Sequence, residues 1–455
     1  MASRPPATDI PRHRAPRPPR TVLACLAVAL ALMGPAPAAR AQLAPRPATM
    51  MPPAPMLAKE FAFIQEAGVY HLFWMRHDPG APYDSTEHDF GHAVSTDLWN
   101  WTQLDSVIPV RPGKWDNLHV WTPTIVKIGG TFYMYYTGVT SVPFPWNSYQ
   151  RIGVATSTDL LNWTRYDAPV WSGDMVPWAF SDSSSFAGCQ FRDAYVMPDT
   201  TAPGRLLMYY VGTPSAARDQ LIVGVAQATD PFTWSDVTPL WCTDTAHYWG
   251  WCESPHVIQH DSLTYLFVTT TSGHPLAYRT APTPYADSTL WSGTHRVYDA
   301  ANDAAVSDAW FGSETLSIPG HDYFAVVNSV DFEIDIFEMV WGGPSLFTLA
   351  TPAMPLGVGP RDAPARMELA PLGRARPGQG LLLRASVPAA CTARVELFDV
   401  AGRRLRTLHD GPLPAGPTIV PWDGRVNGAP AGCGIYFAAL TTGRERRVAR
   451  VPVVW

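Results

Sequence analysis

Hydrophobic and polar residues alternate along most of the chain between residues 57 and 343, with the period of two that is typical of half-buried β-strands. The clearest stretch reads WTPTIVKIGGTFYMYYTG over 121–138 and continues RIGVATSTDLLNWTR over 151–165. A Gly-Gly pair divides its first half into two strands joined by a tight turn, and its second half is a strand that ends in a polar turn. Because no window of helical period competes, the pattern predicts strands throughout.

This unit recurs along the chain, about 45 to 65 residues apart, which is the spacing of a repeat architecture. The other copies begin with GVYHLFWMRHD (68–78), FRDAYVMPD (191–199), CESPHVIQHDSLTYLFVTTT (252–271) and FGSETLSIPGHDYFAVVNSV (311–330). One such four-stranded unit cannot bury both of its faces alone, so the copies have to pack side by side around an axis. Five copies predict an all-β, five-bladed β-propeller over residues 57–343.

The two ends of the chain differ from this central region. Residues 1–41 begin with an Arg- and Pro-rich stretch, continue with an apolar run and end in a cleavage site of small residues. This order predicts a signal peptide, followed by a leader at 42–56. No segment reads as a convincing membrane span, so we expect an exported, extracellular or cell-surface protein. Residues 344–365 are rich in Pro, Ala and Gly and read as a linker, while the short strands of 366–455 predict a small β-sandwich.

Charge also divides the chain. Residues 42–365 hold 14 Lys and Arg against 32 Asp and Glu, whereas residues 366–455 hold 13 Arg against 6 acidic residues. Nucleic acids and other polyanions need clustered cations, so the acidic region argues against them and favours a neutral partner such as an oligo- or polysaccharide.

Export changes how the cysteines are interpreted. Cys242 with Cys252, and Cys391 with Cys433, have spacings that allow two disulfides in an oxidising compartment and leave Cys189 free. Buried reduced thiols are the alternative. Neither the cysteines nor the thirteen histidines show the spacing of metal ligands, so the residues predict no cofactor.

The motifs FGHAVSTDLWNW, GVYHLFW, the Arg-Asp pair of the third copy and CESP of the fourth resemble those of the five-bladed glycoside hydrolases of families 32, 68 and 43, which include invertase-like, levansucrase-like and arabinanase-like enzymes. The resemblance covers residues 57–343. It implies three carboxylates on the innermost strands of different blades, because glycosidic cleavage needs one carboxylic acid to protonate the leaving oxygen and a second group on the opposite side of the sugar.

The resemblance assigns these roles residue by residue. Glu253 matches the general acid, and Asp193 matches the carboxylate that grips sugar hydroxyls in the transition state, with Arg192 binding the same ring or orienting the acid. The first copy departs from the family's Asp-Pro-Asn-Gly. Counting back from the turn places Glu60 as nucleophile or base, whereas the invertase-like spacing places Lys59 there.

Indole rings are natural platforms for the apolar faces of sugars, and polar side chains near the blade entries supply hydroxyl contacts. The substrate-binding residues predicted on these grounds are Trp74, Asp116, His119, Trp121, Trp249 and Trp251. The resemblance to arabinanase-like enzymes also leaves room for a structural Ca²⁺ in the central channel.

In the tail, VELFDVAGRRLRTL, PWDG and GIYF resemble the immunoglobulin-like domains of the flagellar-hook-capping and type IX sorting types, which implies delivery or tethering by export or cell-surface machinery. Together these features predict an exported glycoside hydrolase of neutral, furanose-containing (fructan- or arabinan-like) glycans. A non-catalytic carbohydrate-binding propeller is the first alternative, and a glycoside phosphorylase is a more distant one.

Overall fold

The structure is a computed structural model. It describes residues 48–50, 57–82, 85–98, 101–141, 148–181, 190–218, 220–239, 252–270, 276–285, 288–293, 295–297, 310–318, 320–328, 332–343, 346–350, 366–372, 375–443 and 445–454. These residues form strands and two short 3-10 helices, Gly173–Met175 and Ser288–Leu290, which confirms the all-β class. Within this part of the chain, no helix has both the length and the hydropathy of a membrane-spanning segment.

Residues 48–350 form five antiparallel sheets that follow one another along the chain. A short strand at the start, β1 (Ala48–Met50), pairs with β20 of the last sheet, whose bounds are given below. The first three sheets are β2 (Leu57–Glu66), β3 (Val69–His77), β4 (Phe90–Ser95) and β5 (Thr102–Val107); β6 (His119–Ile128), β7 (Thr131–Ser141), β8 (Ser148–Ser157) and β9 (Thr164–Arg165); and β10 (Phe191–Pro198), β11 (Leu206–Gly212), β12 (Ile222–Ala228) and β13 (Ser235–Pro239).

The fourth sheet consists of β14 (Cys252–His260), β15 (Leu263–Thr270), β16 (Leu276–Ala281) and β17 (His295–Arg296). The fifth consists of β18 (Trp310–Ile318), β19 (His321–Asn328), β20 (Ile334–Gly343) and β21 (Leu346–Ala350), together with β1. The first strands of the sheets contact one another in the order β2, β6, β10, β14, β18 and again β2, so they line a closed ring.

The hydrophobic core lies between neighbouring sheets rather than at the axis. One cluster packs Trp74 of the first sheet against Tyr323 of the fifth, and both side chains are buried. Similar clusters fill the other four junctions. Since each sheet buries its two faces only against its neighbours, the core requires all five sheets.

The repeated Ser-Thr-Asp-Leu motif is a turn that hydrogen bonds to itself. The Ser95 hydroxyl oxygen accepts the backbone N–H groups of Asp97 (3.1 Å) and Leu98 (2.9 Å), and the Ser157 hydroxyl does the same in the second sheet. Leu98 adopts a left-handed φ of 68° and is fully buried. Burial of this leucine offsets the cost of a conformation that branched and bulky residues avoid.

The tail forms two further sheets around a core of its own, in which Trp422 is buried. One sheet orders β22 (Glu368–Leu372), β23 (Leu381–Val387) and β26 (Gly416–Trp422), and the other β25 (Arg404–Leu413), β24 (Cys391–Phe398), β29 (Gly434–Thr442) and β30 (Glu445–Val453). A small hairpin joins β27 (Arg425–Val426) to β28 (Ala429–Pro430).

The tail docks on the turns at one end of the first two sheets. The backbone N–H of Gly380 donates to the Asp159 carboxylate at 2.5 Å, and the Gln379 amide donates to the Thr158 hydroxyl. A Cβ on Gly380 would overlap the Leu161 side chain, so only glycine allows this close approach. The repeated turn therefore also serves as a docking point.

The structure distinguishes between a disulfide and reduced thiols for the two cysteines of the tail. Cys391 and Cys433 are free thiols, the first half-buried and the second exposed, so the disulfide alternative is wrong for this pair. Cys252 is fully buried at the start of β14, while Cys189 and Cys242 lie outside the described residues.

Candidate active site

The first strand of every sheet in the ring is interrupted by a β-bulge at a corresponding position. The pairing register shifts between Ala58 and Phe61 in β2, and at equivalent points of β6, β10, β14 and β18. A bulge inserts an extra residue that re-aims a side chain, and bulges are frequent beside active sites. In this ring they direct side chains from different sheets toward the common axis.

Three residues at these bulges have left-handed backbone conformations, with φ of 47° at Thr122, 59° at Asp193 and 50° at Ser254. Such angles cost free energy for residues with a Cβ, most of all for a β-branched threonine, and they persist where surrounding contacts enforce them. The fifth bulge carries Gly312, where a Cβ would stand 3.4 Å from the Glu60 Cγ atom.

Glu60 and Asp193 meet at the axis through two shared hydroxyl-bearing residues. The Thr122 hydroxyl lies 2.8 Å from Asp193 Oδ1 and within hydrogen-bond distance of Glu60 Oε2. Ser254 also touches both carboxyl groups, with its hydroxyl on Glu60 and its backbone N–H on Asp193 Oδ2 at 3.1 Å. The carboxyl groups of the first and third sheets are therefore neighbours.

Arg192 ties the third carboxyl group to this pair. Its Nη2 lies 2.7 Å from Glu253 Oε1, and its Nε lies 3.3 Å from Asp193 Oδ2. Gln150 and Gln190 accept from its remaining nitrogen. The side chain of Glu253 is 34% exposed, against 3% for Asp193, so the cluster opens to solvent on the side of Glu253.

The electrostatics of the cluster favour proton uptake by Glu60. Burial, and then the charge of Asp193, raise the pKa of Glu60 to about 8. Burial also raises the pKa of Asp193, although the Arg192 guanidinium opposes the shift. Strongly perturbed carboxyl groups in a cleft are typical of functional sites.

The neighbouring Lys59 turns away from this cluster and is buried in an ion pair. Its Nζ lies 2.6 Å from Glu87 Oε1, and the two side chains are 1% and 0% exposed. His77 and His119 contact the same carboxylate at 2.9 and 3.7 Å. Burial alone would raise the pKa of Glu87, but the hydrogen bond and charge of Lys59 outweigh it and hold that pKa below its ordinary value. Glu60, not Lys59, therefore joins the acidic cluster.

Two predicted substrate-binding residues lie in the interior instead. Trp74 is fully buried between the first and fifth sheets. Asp116 is fully buried and accepts hydrogen bonds from Arg111 (2.9 Å), Arg165 (2.7 Å) and the Tyr136 hydroxyl (3.0 Å). Neither residue is placed where a sugar could reach it, so as sugar contacts both predictions are wrong.

Of two other predicted residues, Trp121 is next to Thr122 of the cluster, whereas His119 lies against the Lys59–Glu87 pair. Trp121 directly precedes Thr122, is half-buried, and stacks on His119 with ring centres 5.6 Å apart. His119 is itself buried and stacks on His88. Trp249 and Trp251 lie outside the described residues.

Thr122 and Ser254, which hold the two carboxyl groups together, were not singled out by sequence reasoning. Both precede a proline at matching positions of their repeats, Thr122–Pro123 and Ser254–Pro255, and this shared placement is the signal that could have found them. Their role depends on the bulges, which the alternating pattern does not reveal.

The carboxylate oxygens of the cluster are engaged by other protein groups. They face Arg192, Thr122 and Ser254, and among the described residues no three His, Cys, Asp or Glu side chains converge as metal ligands. The structural Ca²⁺ that the family resemblance leaves room for stays a prediction.

Glycoside hydrolysis canonically uses a pair of carboxyl groups, and the first strands of three of these sheets bring three carboxyl groups together. Residues 50–326 match the N-terminal domain of glycosyl hydrolases family 32, and the chain belongs to that family. Among solved structures, the family 32 β-fructofuranosidase of Bombyx mori shares the fold with a TM-score of 0.52 at 13% identity, covering 89% of this chain and 88% of that one.

Sequence relatives match only parts of the chain. The 6(G)-fructosyltransferase of Asparagus officinalis is 37% identical over 108 residues, which are 22% of this chain and 16% of the plant protein. The 1,2-β-oligomannan phosphorylase of Thermoanaerobacter sp. (strain X514) is 34% identical over 106 residues, 23% of this chain and 35% of the relative. The chain thus spans well under half the length of either relative.

Proposed function

We propose that this protein is an exported glycoside hydrolase that cleaves neutral, furanose-containing glycans of the fructan or arabinan kind. The observation that carries the proposal is the convergence of Glu60, Asp193 and Glu253 on one solvent-accessible point. In this proposal the five sheets are the blades of a five-bladed propeller, and the tail is an immunoglobulin-like domain.

Glycosidic cleavage fits these groups chemically. One carboxyl group donates a proton to the leaving oxygen, a second attacks the anomeric carbon or activates a water, and a third binds the sugar hydroxyls as positive charge develops on the ring. Asp193 suits the third role because it is buried, fixed by Arg192, Thr122 and Ser254, and central to the cluster. Family 32 membership and the similarity to a fructosyltransferase support the furanose assignment.

A phosphorylase is the second candidate, because a stretch of the chain resembles an oligomannan phosphorylase. Phosphorolysis needs a cation that can bind phosphate. Arg192 is the cation of the described cluster, and it already contacts Glu253 at 2.7 Å and Asp193 at 3.3 Å. This arrangement favours hydrolysis.

The test is a substrate panel of sucrose, inulin, levan and linear arabinan, assayed with and without inorganic phosphate. We expect release of free monosaccharide independent of phosphate, and a loss of about 10²- to 10³-fold in the Asp193→Asn variant. Asp261→Asn, in an exposed turn, is the matched control and should keep full activity. Phosphate-dependent release of a sugar phosphate would instead support the phosphorylase, and binding without turnover of any glycan would support a non-catalytic carbohydrate-binding propeller.

Export and the tail belong to the same proposal. The predicted signal peptide lies outside the described residues, and residues 366–455 supply a compact β-sandwich that carries the excess of arginine. We propose that this domain links the enzyme to export or cell-surface machinery while it stays docked on the turn of the second sheet through Gly380.

A further inference from the structure

We infer that Thr122 and Ser254 are positioning residues whose hydroxyl groups hold the Glu60 carboxyl group at the axis, next to Asp193. The inference rests on the proposed glycosidase function, in which Glu60 attacks the anomeric carbon or activates the water that does, and it deepens that function. Displacement of a reacting group by about 1 Å can cost about 10²-fold in rate, so the groups that fix its position matter for catalysis.

The two hydroxyl groups reach Glu60 from two different sheets. Thr122, in β6, is within hydrogen-bond distance of Glu60 Oε2, and Ser254, in β14, contacts Glu60 Oε1. Each carboxyl oxygen of Glu60 therefore has its own hydroxyl partner. The same two residues hold Asp193, since the Thr122 hydroxyl lies 2.8 Å from its Oδ1 and the Ser254 backbone N–H donates to its Oδ2 at 3.1 Å. The separation of the two carboxyl groups thus depends on Thr122 and Ser254 together.

Glu60 relies on these hydroxyl groups more than the other two acids of the cluster do. Arg192 holds Asp193 through Nε at 3.3 Å and Glu253 through Nη2 at 2.7 Å. Among the described residues, by contrast, the hydrogen bonds to Glu60 come from the two hydroxyl groups. Loss of the hydroxyl groups should therefore release Glu60 while Arg192 keeps the other acids in place.

Open space beside Glu60 makes such a restraint necessary. A cavity of about 20 Å³ at the axis is lined in part by Glu60, Thr122 and Ser254, and this is enough space for one water molecule. The fifth sheet also leaves room, because Gly312 has no side chain where a Cβ would stand 3.4 Å from the Glu60 Cγ atom. Two methylene groups separate the glutamate carboxyl from the backbone, so rotation about the side-chain bonds can carry the carboxyl into the cavity.

The backbone of both hydroxyl residues adopts an unfavourable conformation. The angle φ is 47° at Thr122 and 50° at Ser254, in the left-handed region that costs free energy for residues with a Cβ, and a β-branched threonine is an outlier there. Glycine adopts such angles readily. Strained residues cluster at functional sites, where the surrounding structure enforces them. A side chain at these two positions therefore works against stability, and we assign it to catalysis.

Removal of one hydroxyl group at nearly constant shape tests the assignment on a substrate from the panel. Thr122→Val keeps the β-branched shape, and we expect kcat to fall about 10²-fold while KM changes less than about threefold. Thr122→Ser restores the hydroxyl group and should stay within about tenfold of the wild type. Thr348→Val, at an exposed position of β21, is the matched control and should keep full activity. A kcat of Thr122→Val equal to that of the wild type overturns the inference.

A double-mutant cycle with Glu60→Asp tests whether the hydroxyl groups act through Glu60. Aspartate is one methylene group shorter, so its carboxyl is withdrawn from both hydroxyl groups, and we expect kcat to fall about 10²-fold. Once that contact is lost, Thr122→Val has little left to remove. The double variant Glu60→Asp/Thr122→Val should therefore lose about 10²- to 10³-fold, whereas independent effects would multiply to about 10⁴-fold. Multiplication of the two losses contradicts the inference.

Stability and activity should respond differently when glycine replaces Ser254. Because Ser254→Gly relieves the left-handed backbone and removes the hydroxyl group, we expect a Tm no lower than that of the wild type and a kcat lower by at least about tenfold. Ala67→Gly, in an exposed turn with φ of 50°, is the matched control, since it gives the same backbone relief and should keep full activity. A lower Tm of Ser254→Gly together with an unchanged kcat would mean a structural role and refute the inference.

A measurement that needs no substrate is the crystal structure of the Thr122→Val/Ser254→Ala variant. We expect the Glu60 carboxyl to leave Asp193 and turn into the cavity at the axis. A carboxyl that stays beside Asp193 refutes the inference, whatever the activity. If the carboxyl moves but the wild type cleaves no glycan of the panel, the proposed hydrolase function fails while the positioning of Glu60 by the two hydroxyl groups stands.

Discussion

The buried Lys59–Glu87 ion pair supports the strand that carries Glu60, and its loss should be costly. At the 2.6 Å separation of Lys59 Nζ and Glu87 Oε1, Coulomb's law with an effective dielectric constant of about 20 gives about 6 kcal/mol of attraction. Removal of one partner from a buried pair typically costs about 3–5 kcal/mol, because the other charge stays buried without compensation. We therefore expect Lys59→Met to lower the free energy of unfolding by about 3–5 kcal/mol at pH 8.

Urea unfolding followed by tryptophan fluorescence measures this change. Lys127→Met is the matched control, because it breaks the Lys127–Glu66 pair, whose side chains are 38% and 40% exposed, and should cost less than about 1 kcal/mol. The double variant Lys59→Met/Glu87→Leu should lose less free energy of unfolding than the losses of the two single variants added together, since it leaves no unpaired charge.

The contrast between the two lysine variants decides whether the buried pair matters. His77 and His119 contact the Glu87 carboxylate at 2.9 and 3.7 Å, so the carboxylate keeps these two neighbours in Lys59→Met. If Lys59→Met costs no more than Lys127→Met at pH 8, the pair does not support the site and the reasoning is wrong.

Two further predictions concern the site and the docked tail. Because the pKa of Glu60 is raised from 4.5 to about 8, its contribution to stability is full below pH 4.5 and is lost as the pH rises through 8. In urea unfolding, the free energy of unfolding of Glu60→Gln relative to that of the wild type should therefore rise by about 2 kcal/mol between pH 5 and pH 9, a figure reduced for the partial exposure of the side chain. An equal difference between the two proteins at both pH values contradicts this. In Gly380→Val, the new side chain should overlap Leu161 and weaken the contact of the tail with the second sheet. We expect faster proteolysis between residues 343 and 380 and a free energy of unfolding lower by about 1–3 kcal/mol. Gly434→Val, where a Cβ meets no atom within 4 Å, is the control, and equal proteolysis of the two variants would argue against the docking contact.

The sheets could be predicted from the sequence because their signal is local. Alternation and the Gly129–Gly130 turn define β6 and β7, and the recurrence of the unit implies that the sheets pack against one another. The acids could be found because they occupy comparable positions in successive repeats. Counting back from the turn selected Glu60, and the structure brings it to Asp193 through Thr122.

Contacts between distant parts of the chain could not be predicted in the same way. Asp116 is occupied by Arg165, which lies 49 residues away, so its loop position suggested an accessibility that it does not have. Trp74 lies inside β3 rather than at a blade entry, and it packs in the core. The shared hydroxyl contacts of Ser254 depend on a bulge and a left-handed backbone, for which the local sequence gives only the following proline as a sign.

The most direct test of the account is a crystal structure of the Glu253→Gln variant with an oligosaccharide substrate identified in the panel. The account predicts a furanose ring at the axis of the ring of sheets, with a sugar hydroxyl bound to Asp193 and the anomeric carbon beside Glu60. A sugar bound elsewhere, with the cluster of Glu60 and Asp193 left in contact with water alone, would contradict the assignment of this cluster as the active site.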